Sequence, residues 1–193
     1  FGLTNDFIHV AVAKARVVIA EVNDQVPFTY GDAVLPASRI TCALRVSRTP
    51  VEVMPAPLHD LDRAIARAVA EYIADGSVLQ VGIGAVPDAI LRLLHDRRDL
   101  GVHSGMLGDA LLELIEAGVV TNARKAIDAG VSVTTALIGS RRLYELAHRN
   151  PAISLRTSAY THNASVLAQL SKLVTINSAI DLDTAKTKLQ EAQ

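Results

Sequence analysis

The sequence predicts an α/β protein, a mostly parallel sheet with helices on its faces, preceded by the end of another α/β unit. Short runs rich in Val, Ile and Leu alternate with longer stretches whose apolar residues recur at helical spacing. Gly, Pro, Asp and Asn punctuate the boundaries. Hydrophobic residues make up 50% of the 193 residues and aromatic residues only 4%, so the core is one of Ala, Val, Leu and Ile. Strands separated by helices return to the sheet in the same direction.

Residues 6–15 read as a helix and residues 16–22, "RVVIAEV", as a strand. "PFTYGDAVLP" (27–36) carries turn residues, and 39–46 reads as a second strand. There Ile40, Cys42 and Leu44 alternate, which predicts a buried strand cysteine. "TPVEVMPAPLHD" holds three prolines, which remove donors and disfavour helix before them. Residues 1–48 are therefore expected to end an N-terminal unit, 49–59 to form a Pro-rich linker, 60–182 to form a second unit and 183–193 a polar tail.

The second unit is more regular. Asp60 is placed to cap a helix whose Leu61, Ile65, Ala68, Val69, Tyr72 and Ile73 share a face, with Gly76 closing it. "VLQVG" (78–82) reads as a buried strand, and Pro87 and Asp88 suit the first turn of the following helix. "LGVH" (100–103) is a second strand. Leu107, Leu111, Leu114 and Ile115 mark a helix that Gly118 ends, "VVT" (119–121) is a third strand and "VSVTTALIG" (131–139) a fourth. Ser140 can cap a helix through residue 148, and "LVTIN" (173–177) is a last strand. Asp183 can cap a short helix in the tail.

The formal net charge of -1 offers no field to recruit nucleic acid or an anionic membrane. One cysteine forms no internal disulfide, which suggests a reducing compartment, and a cytoplasmic setting is expected. No signal segment or bilayer-length apolar run is read, and a first residue other than Met suggests a processed or partial chain. So much apolar material with few aromatics also suggests a surface that a partner or a further domain covers.

"QVGIGAVPDAIL" (80–91) is the most informative stretch. Gly82 and Gly84 turn the chain from a strand into a helix, where backbone amides can hold a phosphate or an oxyanion. A tight turn without a ligand explains the glycines equally well. The dinucleotide fingerprint fails, because Pro87 stands where a third small residue belongs and the next strand ends in His103-Ser104-Gly105. No Gly-Lys-Ser/Thr follows, and Val102 rather than glycine precedes Ser104 by two, so neither a P-loop nor a nucleophile elbow is present.

The six histidines (His9, His59, His95, His103, His148 and His162) show no metal-ligand spacing, so no metal is expected. His103 stands out by its position at a strand tip. Arg141 and Arg142 oppose a helix dipole unless an anion binds there or Glu145 pairs with them, and the pairing is favoured. Glu113 and Glu116 read as a solvated helix face rather than a catalytic dyad.

"DGSVLQVGIGAVPDAIL", "DLGVHSGM", "LIEAGVVTNARK", "IGSRRLYEL" and "LVTINSAIDLD" occur in an order that resembles the acetyl-CoA hydrolase/transferase family, the class I CoA-transferases that include 4-hydroxybutyrate CoA-transferase. "KARVVIAEVNDQVPFTYGD" is similar to the end of that family's first domain. The chain is shorter than family members, so the resemblance implies a partial chain.

The resemblance implies acyl-CoA chemistry, with coenzyme A or an acyl-CoA as substrate and no permanently bound cofactor. In such enzymes a glutamate attacks the thioester and then carries CoA as a glutamyl thioester. That glutamate follows the histidine of a "HSEM"-like motif by two, a position held here by Gly105. The glutamyl-CoA route does not carry over. The implied site is then His103 as general base beside Gly105, with Gly82, Ile83, Gly84, Ser104 and Met106 around the oxyanion and CoA. Three readings stay open: a CoA-transferase or acyl-CoA hydrolase without the glutamate, a non-catalytic CoA-binding or regulatory relative, and one part of a split enzyme. The expected partners are a CoA thioester, a carboxylic acid acceptor, and a second copy or companion chain.

Overall fold

The computed structural model describes residues 2–32 and 34–177. The elements run α1 (Ile8–Lys14), β1 (Ile19–Asn23), β2 (Tyr30–Gly31), a 3-10 turn (Ala37–Arg39), β3 (Cys42–Val46), α2 (Asp60–Ala70), β4 (Val78–Val81) and α3 (Ala85–Arg92). There follow β5 (Gly101–Val102), β6 (Met106–Leu107), α4 (Asp109–Glu116), β7 (Ser132–Thr134), β8 (Ala136–Leu137) and α5 (Arg141–Ala147). The last are β9 (Ile153–Leu155), α6 (Ser158–Thr161), α7 (Ala164–Leu167) and β10 (Leu173–Ile176).

The strand ladders among the described residues are all parallel, as the alternation of strands and helices predicts. Two three-stranded sheets, ordered β10-β4-β5 and β2-β9-β7, carry the centre, and β6-β8 and β1-β3 form two-stranded sheets. A single parallel bridge between His103 and Val133 joins the first sheet to the second. Strands covered on both faces read as continuous apolar runs. Accordingly Leu79, Leu100, Val102, Leu107, Leu111 and Leu114 are fully buried in one cluster.

Helix α2 departs from expectation at both ends. His59 takes the cap position and the Asp62 carboxylate accepts from its amide at 2.8 Å, while Asp60 is already inside the helix. The helix stops at Ala70, where Arg97 donates to the Ala70 and Ile73 carbonyls (3.1 and 2.7 Å) and satisfies the orphaned acceptors. Tyr72 is consequently exposed, and Gly76, at φ +73°, turns the chain into β4 rather than ending the helix. Ser140 does precede α5, but its hydroxyl donates to Asp109 at 2.7 Å instead of capping its own helix.

Three expected strands change. Residues 119–121 keep one bridge, Val120 to Leu100, because the Val119 and Val120 amides donate to the Leu114 carbonyl and close α4. The 131–139 run divides at Thr135, with β7 pairing to β9 and β8 to β6. Cys42 is exposed, because among the described residues β3 pairs only with β1, in a sheet whose faces stay open. Val17, Ile19, Val22 and Leu44 are exposed with it.

The segment expected as a linker is anchored to the second unit. The Val53 amide donates to the Gly139 carbonyl at 3.0 Å, Glu52 accepts from the Arg141 amide at 2.8 Å, and the Tyr144 hydroxyl donates to the Val51 carbonyl at 2.9 Å. Residues of the N-terminal unit also reach over: β2 pairs with β9, and the Leu137 amide donates to Leu3 at 2.7 Å. Arg141 pairs with Glu145 at 2.7 Å, while Arg142 pairs with Glu116 instead. Glu113 takes Arg92 at 2.7 Å, so the two glutamates of α4 are each ion-paired rather than merely solvated. Asp183 and the tail 183–193 lie outside the described residues.

Candidate active site

The turn from β4 into α3 is made by Gly82, Ile83 and Gly84. Gly84 has φ +138°, a conformation that only glycine adopts without strain, and it stands at the N-terminal end of α3. Gly82 is closely packed: a Cβ there would sit 2.8 Å from the Asn177 Oδ1. Its amide donates to the Ile176 carbonyl at 2.7 Å. The Gly82 amide is thus engaged within the sheet. Ile83 is 65% exposed despite its apolar side chain.

Ile83 and Gly84 border the same cleft as Met106, together with Asp88, Asp109 and Ile138. The cleft is about 160 Å³, and Val53, Met54, Pro55 and Ala56 form its outer wall. The glycine turn and the segment after Gly105 therefore lie side by side. The reason is topological, since β4 and the chain leaving β5 end at the same edge of a parallel sheet. Asp88 is half-buried, and desolvation raises its proton affinity, reinforced by Asp109 and Glu113 and opposed by Arg92.

His103 does not reach solvent: its exposure is 0%. Its amide donates to Leu79 at 3.0 Å, and its ring lies 5.6 Å from that of Tyr160, centroid to centroid. Neither ring nitrogen has a hydrogen-bond partner among the described residues. The Tyr160 carbonyl favours protonation of the ring without meeting hydrogen-bond geometry. Burial lowers the His103 pKa to about 4, assisted by the Lys125 charge and less by His162, against Asp128. A ring that is neutral, weakly basic and shut off from water is a poor general base, contrary to the role expected for it.

Lys125 acts on this histidine through its charge. Its stem covers Gly101, where a Cβ would meet the Lys125 Cγ at 2.8 Å. Its ammonium donates to the Val102 and Val131 carbonyls at 2.9 and 2.7 Å. Burial lowers its pKa to about 8, with Asp128 opposing. The Tyr160 hydroxyl donates to Asp128 at 2.8 Å, and the Arg156 guanidinium lies 4.1 Å above the Tyr160 ring. Ser104 is buried and its hydroxyl is bonded to the backbone of Val81.

Gly105 is where the sequence reasoning missed a residue. A Cβ at Gly105 would stand 2.7 Å from the Cε1 and 3.0 Å from the Nε2 of His162. The His162 imidazole occupies the start of the path that any side chain at 105 would take. Its Nδ1 lies 2.9 Å from the Thr161 hydroxyl, which in turn is 2.7 Å from the Thr135 hydroxyl. His162 follows α6 and comes from a distant part of the chain, so no local pattern links it to Gly105. Lys125 lies within a recognised motif, but only the fold brings its ammonium to the Val102 carbonyl, next in the chain to His103.

Among the described residues no group of three or more His, Cys, Asp or Glu could hold a metal ion, and no helix is long and apolar enough to cross a membrane.

Residues 139–188 match the family model for the acetyl-CoA hydrolase/transferase C-terminal domain. The 4-hydroxybutyrate coenzyme A transferase of Clostridium kluyveri is 38% identical over 183 residues, which is 95% of this chain and 43% of that protein. A succinyl-CoA:acetate/propanoyl-CoA:succinate CoA transferase of Fasciola hepatica is 36% identical over 94% of this chain and 38% of its own length. The crystal structure of 4-hydroxybutyrate CoA-transferase from Porphyromonas gingivalis superposes with a TM-score of 0.86 at 35% identity, covering 91% of this chain and 45% of that one. RipA from Yersinia pestis superposes at 0.84 and 33% identity, over 90% and 41%. The chain spans less than half the length of these relatives. The order of the motifs, the parallel α/β architecture and these similarities agree: the chain belongs to the acetyl-CoA hydrolase/transferase family.

Proposed function

We propose that this chain processes acyl-CoA thioesters, as a CoA-transferase or an acyl-CoA hydrolase, without a glutamyl-CoA intermediate. The observation that carries this reading is the shared cleft. Ile83 and Gly84 line it together with Met106, the residue that follows Gly105. Amides at the head of α3 stabilise the oxyanion that forms when the thioester carbonyl is attacked. Gly105 supplies no carboxylate, so the attacking oxygen comes from water or from an acceptor carboxylate.

Coenzyme A enters and leaves as substrate and product. The similarity to several CoA-transferases supports a carboxylic acid as acceptor. The open apolar faces of β1 and β3 support contact with a second copy or a companion chain. The single cysteine supports a reducing, cytoplasmic setting.

The test is thiol release from a panel of acyl-CoAs, with and without added carboxylates, alongside calorimetry with CoA. Release above background supports the reading, and a carboxylate-dependent rate identifies transfer rather than hydrolysis. A folded chain that binds CoA but releases thiol at background rate overturns the enzymatic reading in favour of a CoA-binding relative.

A further inference from the structure

We propose that the imidazole of His162 is the general base of this site, standing where a side chain at position 105 would otherwise begin. The assignment rests on the thioester reading above and gives it the proton acceptor that Gly105 lacks and buried His103 is badly placed to supply.

Three observations meet here. The first is contact: the Cε1–Nε2 edge of His162 lies within 3.0 Å of the position a Gly105 Cβ would take. A glycine at 105 and an imidazole at 162 fill one space between them. The second is access. His162 is exposed whereas His103 is wholly buried, so only the former can exchange a proton with solvent.

The third is orientation. The Thr161 hydroxyl lies between the Thr135 hydroxyl (2.7 Å) and the His162 Nδ1 (2.9 Å), with the Thr157 carbonyl at 3.4 Å. With the Thr161 proton given to Thr135 or Thr157, its oxygen accepts from Nδ1–H. The lone pair is then on Nε2, the nitrogen on the Gly105 side. Thr161 is itself buried, so its hydroxyl is held beside the ring.

The hydrolytic step balances with these groups alone. Nε2 takes a proton from water as its oxygen bonds to the thioester carbon. The carbonyl oxygen becomes an oxyanion facing the Ile83–Gly84 turn. The C–S bond then breaks, the imidazolium returns the proton to the departing thiolate, and the products are a carboxylic acid and free CoA.

The experiment compares wild type with His162→Gln and Gly105→Ala in thiol release and CoA calorimetry. It also follows carbethoxylation of His162 by mass mapping, with and without CoA. His162→Gln is expected to lower thiol release by about 100-fold or more while leaving CoA binding intact. Gly105→Ala, whose methyl displaces the imidazole, is expected to lower it as well, and CoA is expected to slow carbethoxylation of His162. Wild-type turnover that survives His162→Gln overturns the base and leaves the thioester reading standing. So does a CoA-saturated protein whose His162 reacts as fast as in the free chain. A folded wild type that neither binds CoA nor releases thiol overturns both.

Discussion

The Ser104 hydroxyl is fully committed to main chain, accepting from the Val81 amide at 2.9 Å and the Met106 amide at 3.2 Å while donating to the Val81 carbonyl at 3.1 Å. Two lone pairs and one proton meet three partners, so nothing remains for nucleophilic attack. The serine holds β4 against the chain that leaves β5. Ser104→Ala leaves two amides without this acceptor. It is expected to cost about 2–3 kcal/mol in urea unfolding while the folded fraction still releases thiol. Loss of turnover with unchanged stability would instead point to Ser104 as a nucleophile.

His103 makes the fold acid-sensitive. Its folded pKa of about 4 lies below the ordinary 6.5. As pH falls, the unfolded chain takes the proton first. The stability gained from a neutral ring is whole above pH 6.5, drains between 6.5 and 4, and is gone below 4. The full effect is about 3 kcal/mol. Urea midpoints at pH 7, 6 and 5 should therefore fall more steeply for wild type than for His103→Gln. Parallel curves would refute the assignment.

Asn122 ties β5 to β7. Its side chain accepts from the Val102 amide at 2.8 Å and donates to the Ser132 hydroxyl at 3.0 Å, from a left-handed backbone at φ +57°. Asn122→Ala removes both bonds and places a poor residue in that conformation, for an expected loss of about 3 kcal/mol. Asn122→Gly keeps the backbone freedom and should lose less. Equal losses would assign the whole effect to the side chain.

Asp88 places a half-buried carboxylate on the cleft wall beside the glycine turn. Its charge opposes an anionic ligand in the same space. Asp88→Asn is expected to tighten CoA binding by about 1 kcal/mol, roughly five-fold, in calorimetry at neutral pH. The wild-type affinity should approach that of the variant as falling pH protonates the carboxylate. Weaker binding in the variant would mean that Asp88 itself holds the ligand.

The features legible in the sequence were local ones. "VLQVGIGAVPDAIL" gives β4, a glycine turn and α3 because an apolar run, two glycines and a helix-opening proline are adjacent. Strands β6 and β8 are two residues each, too short for any periodicity, and exist because they pair with each other. The apparent strand 131–139 divides at Thr135 because its two halves pair with different partners, β7 with β9 and β8 with β6. Cys42 alternates like a core residue, yet among the described residues β3 has only β1 beside it. His103 could be singled out by its strand-end position, but its full burial beside the Tyr160 ring joins parts of the chain that no local pattern links. The His162–Gly105 contact joins two loops far apart in the chain, and no spacing rule reaches that distance.

The anchored segment beside the cleft carries a consequence for selectivity. Val53, Met54, Pro55 and Ala56 present hydrocarbon, Pro55 has no amide to offer, and the Val53 amide is spent on Gly139. A molecule lying along that wall is sorted by its bulk and not by polar matching. Each methylene that fits should gain about 0.8 kcal/mol, and the first that does not should forfeit about 1–3 kcal/mol. Preference should then break off abruptly at one alkyl length.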